Sequence, residues 1–201
     1  MTKFTALFTA SYKELKDVRC LTLVAMFGAI SIILGSQAIM VGDFLKIGFT
    51  FLPNEFVYYL FGPVVGAIFG AAMDILTFIV RPAGPFFFGF TVSSILTGIL
   101  FGVVLYKKPL SLKRIIVANI IHLIFINILL NTYWLTMLLG KGFFVLLPLR
   151  ALKAVIMMPI ETLLLFSVIK GVEASGILKH FQRRKAKVGW RTNHRKYYKL
   201  N

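Results

Sequence analysis

One cysteine, Cys20, occurs in 201 residues, which excludes a disulfide framework and a thiolate metal site. The common phosphate-binding and catalytic patterns are missing too. No GxxxxGK[ST] is present, and the isolated Gly140-Lys141-Gly142 is only a fragment of such a loop. HExxH and GxSxG do not occur, and His122, His180 and His194 are scattered along the chain. Nothing in the sequence pairs a nucleophile with a base, so no residues nominate an enzyme. Acids are scarce as well: seven Asp and Glu stand against 23 Lys and Arg, a formal net charge of +16.

Apolar residues are what the chain has in plenty. They make up 58% of it, with a mean hydropathy of +0.84, whereas soluble domains average roughly 45–50%. This is a membrane-protein composition. The charge is segregated: ten of the cations lie between Lys170 and Lys199, where Glu173 is the single acid. A basic tail at one end of a membrane chain follows from the positive-inside rule without invoking nucleic acid. Near the N-terminus, Lys13, Lys16 and Arg19 precede an apolar run over 21–40. That run exceeds the 7–15 residues or so of a secretory h-region, so it reads as a retained helix.

A bilayer core about 30 Å thick takes about 20 helical residues. On that ruler the spans are 21–40, 90–106, 114–135 and 148–170, with a long apolar region at 49–80. Gly62-Pro63 divides that region, because proline disfavours the helical conformation in the residue before it. The expectation is a short helix at 52–62, a turn at Phe61-Gly62-Pro63 and a full helix at 63–80. The fold class is then all-α, an integral membrane bundle of six transmembrane helices with N- and C-termini cytoplasmic. The chain divides into a cytoplasmic N-terminal segment (1–20), a six-helix membrane domain (21–172) and a basic cytoplasmic tail (173–201). With this topology eighteen of the Lys and Arg fall inside and five outside, the asymmetry expected of the assignment.

The five outside cations are Lys46, Arg81, Lys141, Arg150 and Lys153. Pro148 suits the first turn of the last helix, which would place Arg150 and Lys153 near its N-terminus and on one face. Cations there oppose the helix macrodipole, and a bound anion such as a carboxylate relieves the conflict. Snorkelling to lipid phosphates is the plainer alternative. Tyr133 and Trp134 fit an interfacial belt or a stacking wall for a flat heteroaromatic ligand, and Phe86, Phe87 and Phe88 in "RPAGPFFFGF" offer a lid, an anchor or more stacking surface. Asp74, Asn127, Asn131 and Glu161 are polar at membrane depth. Asp74 and Asn131 belong to the outer half, where a carboxylate and an amide can pair with an amino-heterocycle. Glu161 and His122 read as bonds between helices. Ala25 and Ala29, with Gly28 alongside, make a small-residue face that admits a close helix neighbour.

The motifs "LFGPVVGAIFGAAMDIL" at 60–76, "RPAGPFFFGFTVSSILTGILFGVVLY" at 81–106 and the Ala25-xxx-Ala29 pattern resemble the substrate-binding S components of energy-coupling-factor transporters, over residues 17–172. "LLNTYWLTMLLGKGF" and "LPLRALKAVIMMPIE" are similar to the folate-specific members. The resemblance implies a multi-pass cell-membrane subunit that captures folate and then docks with a transmembrane coupling subunit and two ATPase subunits. ATP is used by those partners only, so the chain is expected to be no enzyme and to need no cofactor, metal or nucleic acid. It further implies that Ala25 and Ala29 contact the coupling subunit. On this basis Trp134, Tyr133 and Phe87 are expected to stack on folate, Asp74 and Asn131 to bond the pterin edge, and Arg81, Arg150 and Lys153 to take carboxylates or stack. Two alternatives stay open. One is an S component for another anionic vitamin such as pantothenate; cationic thiamine suits these outer cations poorly. The other is a small membrane enzyme acting on lipid head groups, with Asp74 or Glu161 as base.

Overall fold

The computed structural model describes residues 3–37, 39–41, 45–82, 84–140 and 142–175. The N-terminal segment carries a helix that the sequence reading left unassigned, α1 (Lys3–Glu14). Asp17 then starts α2 (Val18–Ser36) as its N-cap, its carboxylate accepting the Arg19 N–H at 3.0 Å. The first apolar helix was expected to run to residue 40. It stops at Ser36 because the chain turns into strand β1 (Ile39–Val41), which pairs antiparallel with β2 (Leu45–Ile47), Ile39 opposite Ile47 and Met40 opposite Lys46. This short strand pair is an addition to a bundle that is otherwise helical, as expected. Ile39, Val41, Leu45 and Ile47 alternate with Met40 and Lys46, a period-two pattern rich in β-formers.

The remaining elements are α3 (Phe51–Val80), α4 (Phe88–Leu105), α5 (Leu112–Ile121), a π-helical stretch (His122–Leu130), α6 (Asn131–Leu139) and α7 (Phe143–Ala174). Five helices among the described residues are long and apolar enough to cross a membrane, with α5, the π stretch and α6 counting as one. The six expected segments are recovered once α3 is divided at Gly62, whose φ of 84° and ψ of −169° interrupt the helix. Pro63 lacks an N–H and pushes its predecessor out of the helical region, and glycine takes the positive φ without a Cβ penalty. The last helix begins at Phe143 and not at Pro148 as expected. Proline inside a membrane helix is tolerated when its surroundings satisfy the freed carbonyl, and Pro159 sits deeper in the same helix.

The break in α3 strands backbone groups in apolar surroundings, and α1 supplies what they lack. The Ser11 hydroxyl donates to the Phe61 carbonyl at 2.7 Å and accepts the Val64 and Val65 N–H groups at 3.0 and 3.2 Å. Ser11 is wholly buried. Tyr106, just past the end of α4, closes the same corner: a Cβ on Gly62 would lie 2.6 Å from its ring, and its hydroxyl donates to Glu14 of α1 at 3.3 Å.

Beyond the break α3 and α4 run antiparallel at backbone contact. Gly102 meets Pro63, Gly66 meets Gly98, and Gly70 meets the Ser94 carbonyl; a Cβ on Gly66 would sit 2.7 Å from the Gly98 oxygen. Small residues permit this approach, and close packing takes the place of the hydrophobic drive that lipid removes. The chain divides into two compact units, 1–165 and 166–201. In the described part of the second, the Lys170 ammonium lies 5.7 Å from the Phe166 ring centre.

Ser11→Ala leaves three buried backbone groups without their partner. It is expected to lower stability by about 1–3 kcal/mol, visible as a lower melting temperature in detergent. An unchanged melting curve would mean that water serves the break as well as Ser11 does.

Candidate ligand-binding site

A bundle interior normally pairs its buried polar atoms, so those left unpaired mark where something else is meant to bind. Among the described residues they are Asn54 Oδ1, Glu55 Oε2, Ser93 Oγ, Asn119 Oδ1, Asn131 Oδ1, Trp134 Nε1 and Arg150 Nε. Three belong to residues that the sequence singled out: Asn131, Trp134 and Arg150. Asn119 is accounted for on its donor side, its amide bonding Thr162 of α7 at 2.7 Å.

Asn131 and Trp134 stand three residues apart at the start of α6 and share a face. The Trp134 ring packs over the entry to α4. Phe87 lies 5.7 Å away between ring centres and Tyr133 5.3 Å, with Phe90 6.0 Å beyond Phe87. Gly89 makes room for this wall, since a Cβ there would lie 2.6 Å from the Trp134 ring and 2.5 Å from that of Phe87. The preceding π-helical stretch carries Asn127, and the Arg150 guanidinium reaches across from α7 to donate to its side-chain oxygen at 3.3 Å. π turns widen the helix and recur at functional sites. The cluster therefore offers an aromatic wall, an unpaired amide oxygen, an indole N–H and an unpaired guanidinium N–H. A flat ligand with donors, acceptors and an anionic group matches that set.

Other expected site residues have partners of their own. Asp74 accepts the Thr91 hydroxyl at 2.7 Å and so ties α3 to α4. Arg81, exposed, donates to the Gly35 and Ser36 carbonyls at 2.9 and 3.1 Å, capping the C-terminus of α2, where a cation suits the helix dipole. Phe86 turns away from Trp134 to meet Phe78 at 5.1 Å. Lys153 lies near enough to Glu161 for their charges to interact. Arg150 and Lys153 do not occupy a helix N-terminus as expected, because α7 starts at Phe143 and its free N–H groups lie elsewhere. Any anion held by Arg150 is held by the guanidinium itself. The Lys46 side chain and Lys141 lie outside the described residues.

Ala25 and Ala29 are exposed on α2, beside Leu21, Met26 and Ile33. Gly28 faces the other way, into Met73 and Phe69 of α3. His122 packs against Phe101 at 5.6 Å. Among the described residues no group of three His, Cys, Asp or Glu is placed to hold a metal ion. Asn54, Glu55 and Ser93 were missed. They sit inside strongly apolar stretches, and only Glu55, an acid in a transmembrane segment, carried a signal that could have drawn notice.

The substrate-specific component of ECF transporters matches residues 19–179. The chain belongs to this family. It is 36% identical, over 67% of its own length and 78% of the relative's, to the folate transporter FolT of Clostridium novyi (strain NT). It is 27% identical, over 72% and 81%, to the folate transporter FolT of Leuconostoc mesenteroides subsp. mesenteroides. A crystal structure of FolT bound with folic acid superposes with a TM-score of 0.69 at 28% identity, covering 76% of this chain and 93% of that one. The S component of a bacterial ECF transporter shares the fold, with a TM-score of 0.54 at 21% identity over 77% and 97%. An S component is one part of a membrane transporter, so this protein works with an energy-coupling module. Its relatives are transport subunits and not enzymes.

Gly89→Ala puts a methyl group into the Trp134 and Phe87 rings. This S component is expected to bind folic acid at least about tenfold more weakly, the size of an overpacking cost of about 1–3 kcal/mol, while keeping its fold. Titration at equilibrium beside a melting curve reads both. Unchanged affinity would place the ligand away from Trp134.

Proposed function

We propose that the chain is the folate-capturing S component of an uptake system in the cell membrane. The observation that carries this reading is the set of unpaired polar atoms around one aromatic wall, Asn131 Oδ1, Trp134 Nε1 and Arg150 Nε, in a chain 36% identical to a named folate transporter. Folate has a flat pterin, an aminobenzoyl ring and an anionic glutamate. In this reading Trp134, Tyr133 and Phe87 stack on its rings, Asn131 accepts from its N–H groups and the Arg150 guanidinium donates to a carboxylate. Lys153, three residues along the same helix, adds positive charge. Asp74 and Arg81 support the site by joining helices, and so differ from the direct ligands expected of them.

The remaining parts of transport fall to other chains. With both termini in the cytoplasm, the exposed Ala25–Ala29 face of α2 docks on a transmembrane coupling subunit, and two ATPase subunits hydrolyse ATP to drive release inward. The S component itself carries no nucleotide motif and uses no cofactor in this scheme.

Equilibrium binding to the purified chain in detergent tests the reading, with pantothenate and thiamine alongside. Folic acid is expected to bind one to one and the other two not at all. Arg150→Ala is expected to weaken folic acid about ten- to a hundredfold, as losing a charged hydrogen bond does, and Arg81→Ala to change affinity less than about threefold while lowering the melting temperature. Capture of pantothenate in place of folic acid would reassign the vitamin; equal affinity in Arg150→Ala would remove the cationic contact.

A further inference from the structure

Glu55 is an acid that the bundle buries and leaves open. It is 3% exposed on the first limb of α3, and its Oε2 has no hydrogen-bond partner. The other described acids are engaged. Glu14 accepts from Tyr106, Asp17 caps α2, Asp74 accepts from Thr91, and Glu161 has Lys153 for a neighbour. Glu173 belongs to the second unit and has interactions of its own.

The surroundings of Glu55 can be placed from its helix. Tyr58, three residues on, shares its face. That ring packs against Phe69 and Phe101 at 6.2 and 6.3 Å, and its hydroxyl would lie 3.4 Å from a Cβ on Gly70, the residue that meets Ser94 of α4. One turn nearer the start of α3, Glu55 comes to the level at which α4 carries Ser93, whose hydroxyl is also buried without a partner. Asn54 Oδ1, one residue earlier on α3, is a further buried acceptor without a partner among the described residues. Among the described residues no cation bonds the free oxygen. An acid left so at membrane depth is costly in the empty protein and calls for a ligand with N–H donors to meet it.

We propose that Glu55 is the specificity-determining carboxylate of the site, accepting the ring N3–H and the 2-amino group of a 2-amino-4-oxopteridine. This rests on the folate reading above and adds the residue that distinguishes a pterin from other flat heterocycles. Those two N–H groups point the same way from adjacent positions of the ring, a fork that one carboxylate receives as two parallel bonds. The Ser93 hydroxyl can donate to a remaining acceptor of that edge. The wall around Trp134 and Arg150 is then left for the rest of the molecule. Asp74, the acid that the sequence favoured for this part, is already held by Thr91.

The test titrates the purified full chain with folic acid and with an analogue carrying a methyl group in place of the 2-amino group. The parent protein is expected to prefer folic acid by at least about tenfold, since a site with buried acceptors rejects a ligand that leaves them unpaired. Glu55→Gln keeps the shape and is expected to bind folic acid about ten- to a hundredfold more weakly while holding the analogue about as well as the parent does. Without ligand it should melt no lower than the parent, because the amide fills the same space and has no charge to bury. Equal losses for both ligands, unchanged folic acid affinity or a lowered melting temperature would each make Glu55 a structural acid and overturn the proposal. If the parent itself captures no folic acid, the folate reading falls first and the proposal with it.

Discussion

A chain in lipid must satisfy its own backbone, and the turn in α3 is where this protein comes nearest to failing. Gly62 and Pro63 reverse the helix direction within the bundle, which leaves a carbonyl and two N–H groups with no helical partner. Water would serve them at a soluble surface, but each unsatisfied group in hydrocarbon costs several kcal/mol by rough estimate. One hydroxyl, that of Ser11, meets all three. The N-terminal helix is therefore part of the membrane fold and not an appendage to it. Because the break is sealed, the limb 51–61 can lie beside 63–80 and bring Glu55 and Tyr58 into the interior.

The same economy governs the contact between α3 and α4. Gly66 against Gly98 and Gly70 against Ser94 bring two backbones together with no side chain between them, and this fixes the register. The register then decides which polar residues meet. Asp74 falls opposite Thr91 and accepts its hydroxyl, while the Ser93 hydroxyl and Glu55 Oε2 find no partner among the described residues. Gly89 at the head of α4 lets the indole of Trp134 settle against Phe87. Close packing at the centre and open polar atoms beside it are two results of one arrangement.

How much of this could be read from the chain alone depends on the range of the interaction. The division of 49–80 at Gly62-Pro63 was legible because proline and glycine act on their own backbone. The aromatic and cationic residues of the site stood out as misfits in an apolar sequence, and Trp134, Asn131 and Arg150 do share one region. What was not legible needed a partner far along the chain. Ser11 gains its meaning 50 residues later, at Phe61. Asp74 and Glu55 look alike in sequence, and only the presence of Thr91 opposite one of them tells them apart. Arg81 was expected as a ligand, and its bonds to the last carbonyls of α2 leave no mark in the sequence. The start of α7 was misplaced because Pro148 was given the meaning it has in water, where it opens helices more often than it sits within them. The strand pair was missed because a helix-length ruler was laid over residues whose pattern has period two.

The unpaired atoms also bear on how capture and release divide between subunits. A site with open acceptors and donors gains free energy when a matching ligand enters, and the empty state is the strained one. That suits a subunit whose task is to hold its vitamin tightly, and it makes unaided release slow, since each contact would have to be given up without replacement. Energy must then come from outside the chain, which carries no phosphate-binding loop. Membership among ECF substrate-specific components provides for that energy, because such a subunit works with an energy-coupling module. Beside the exposed face of α2, Gly28 packs onto Phe69 and Met73 of α3, and Met73 directly precedes Asp74, which bonds to α4. In the proposed scheme, where that face docks on the coupling subunit, a push there meets the α3–α4 pair whose register keeps the binding atoms in position.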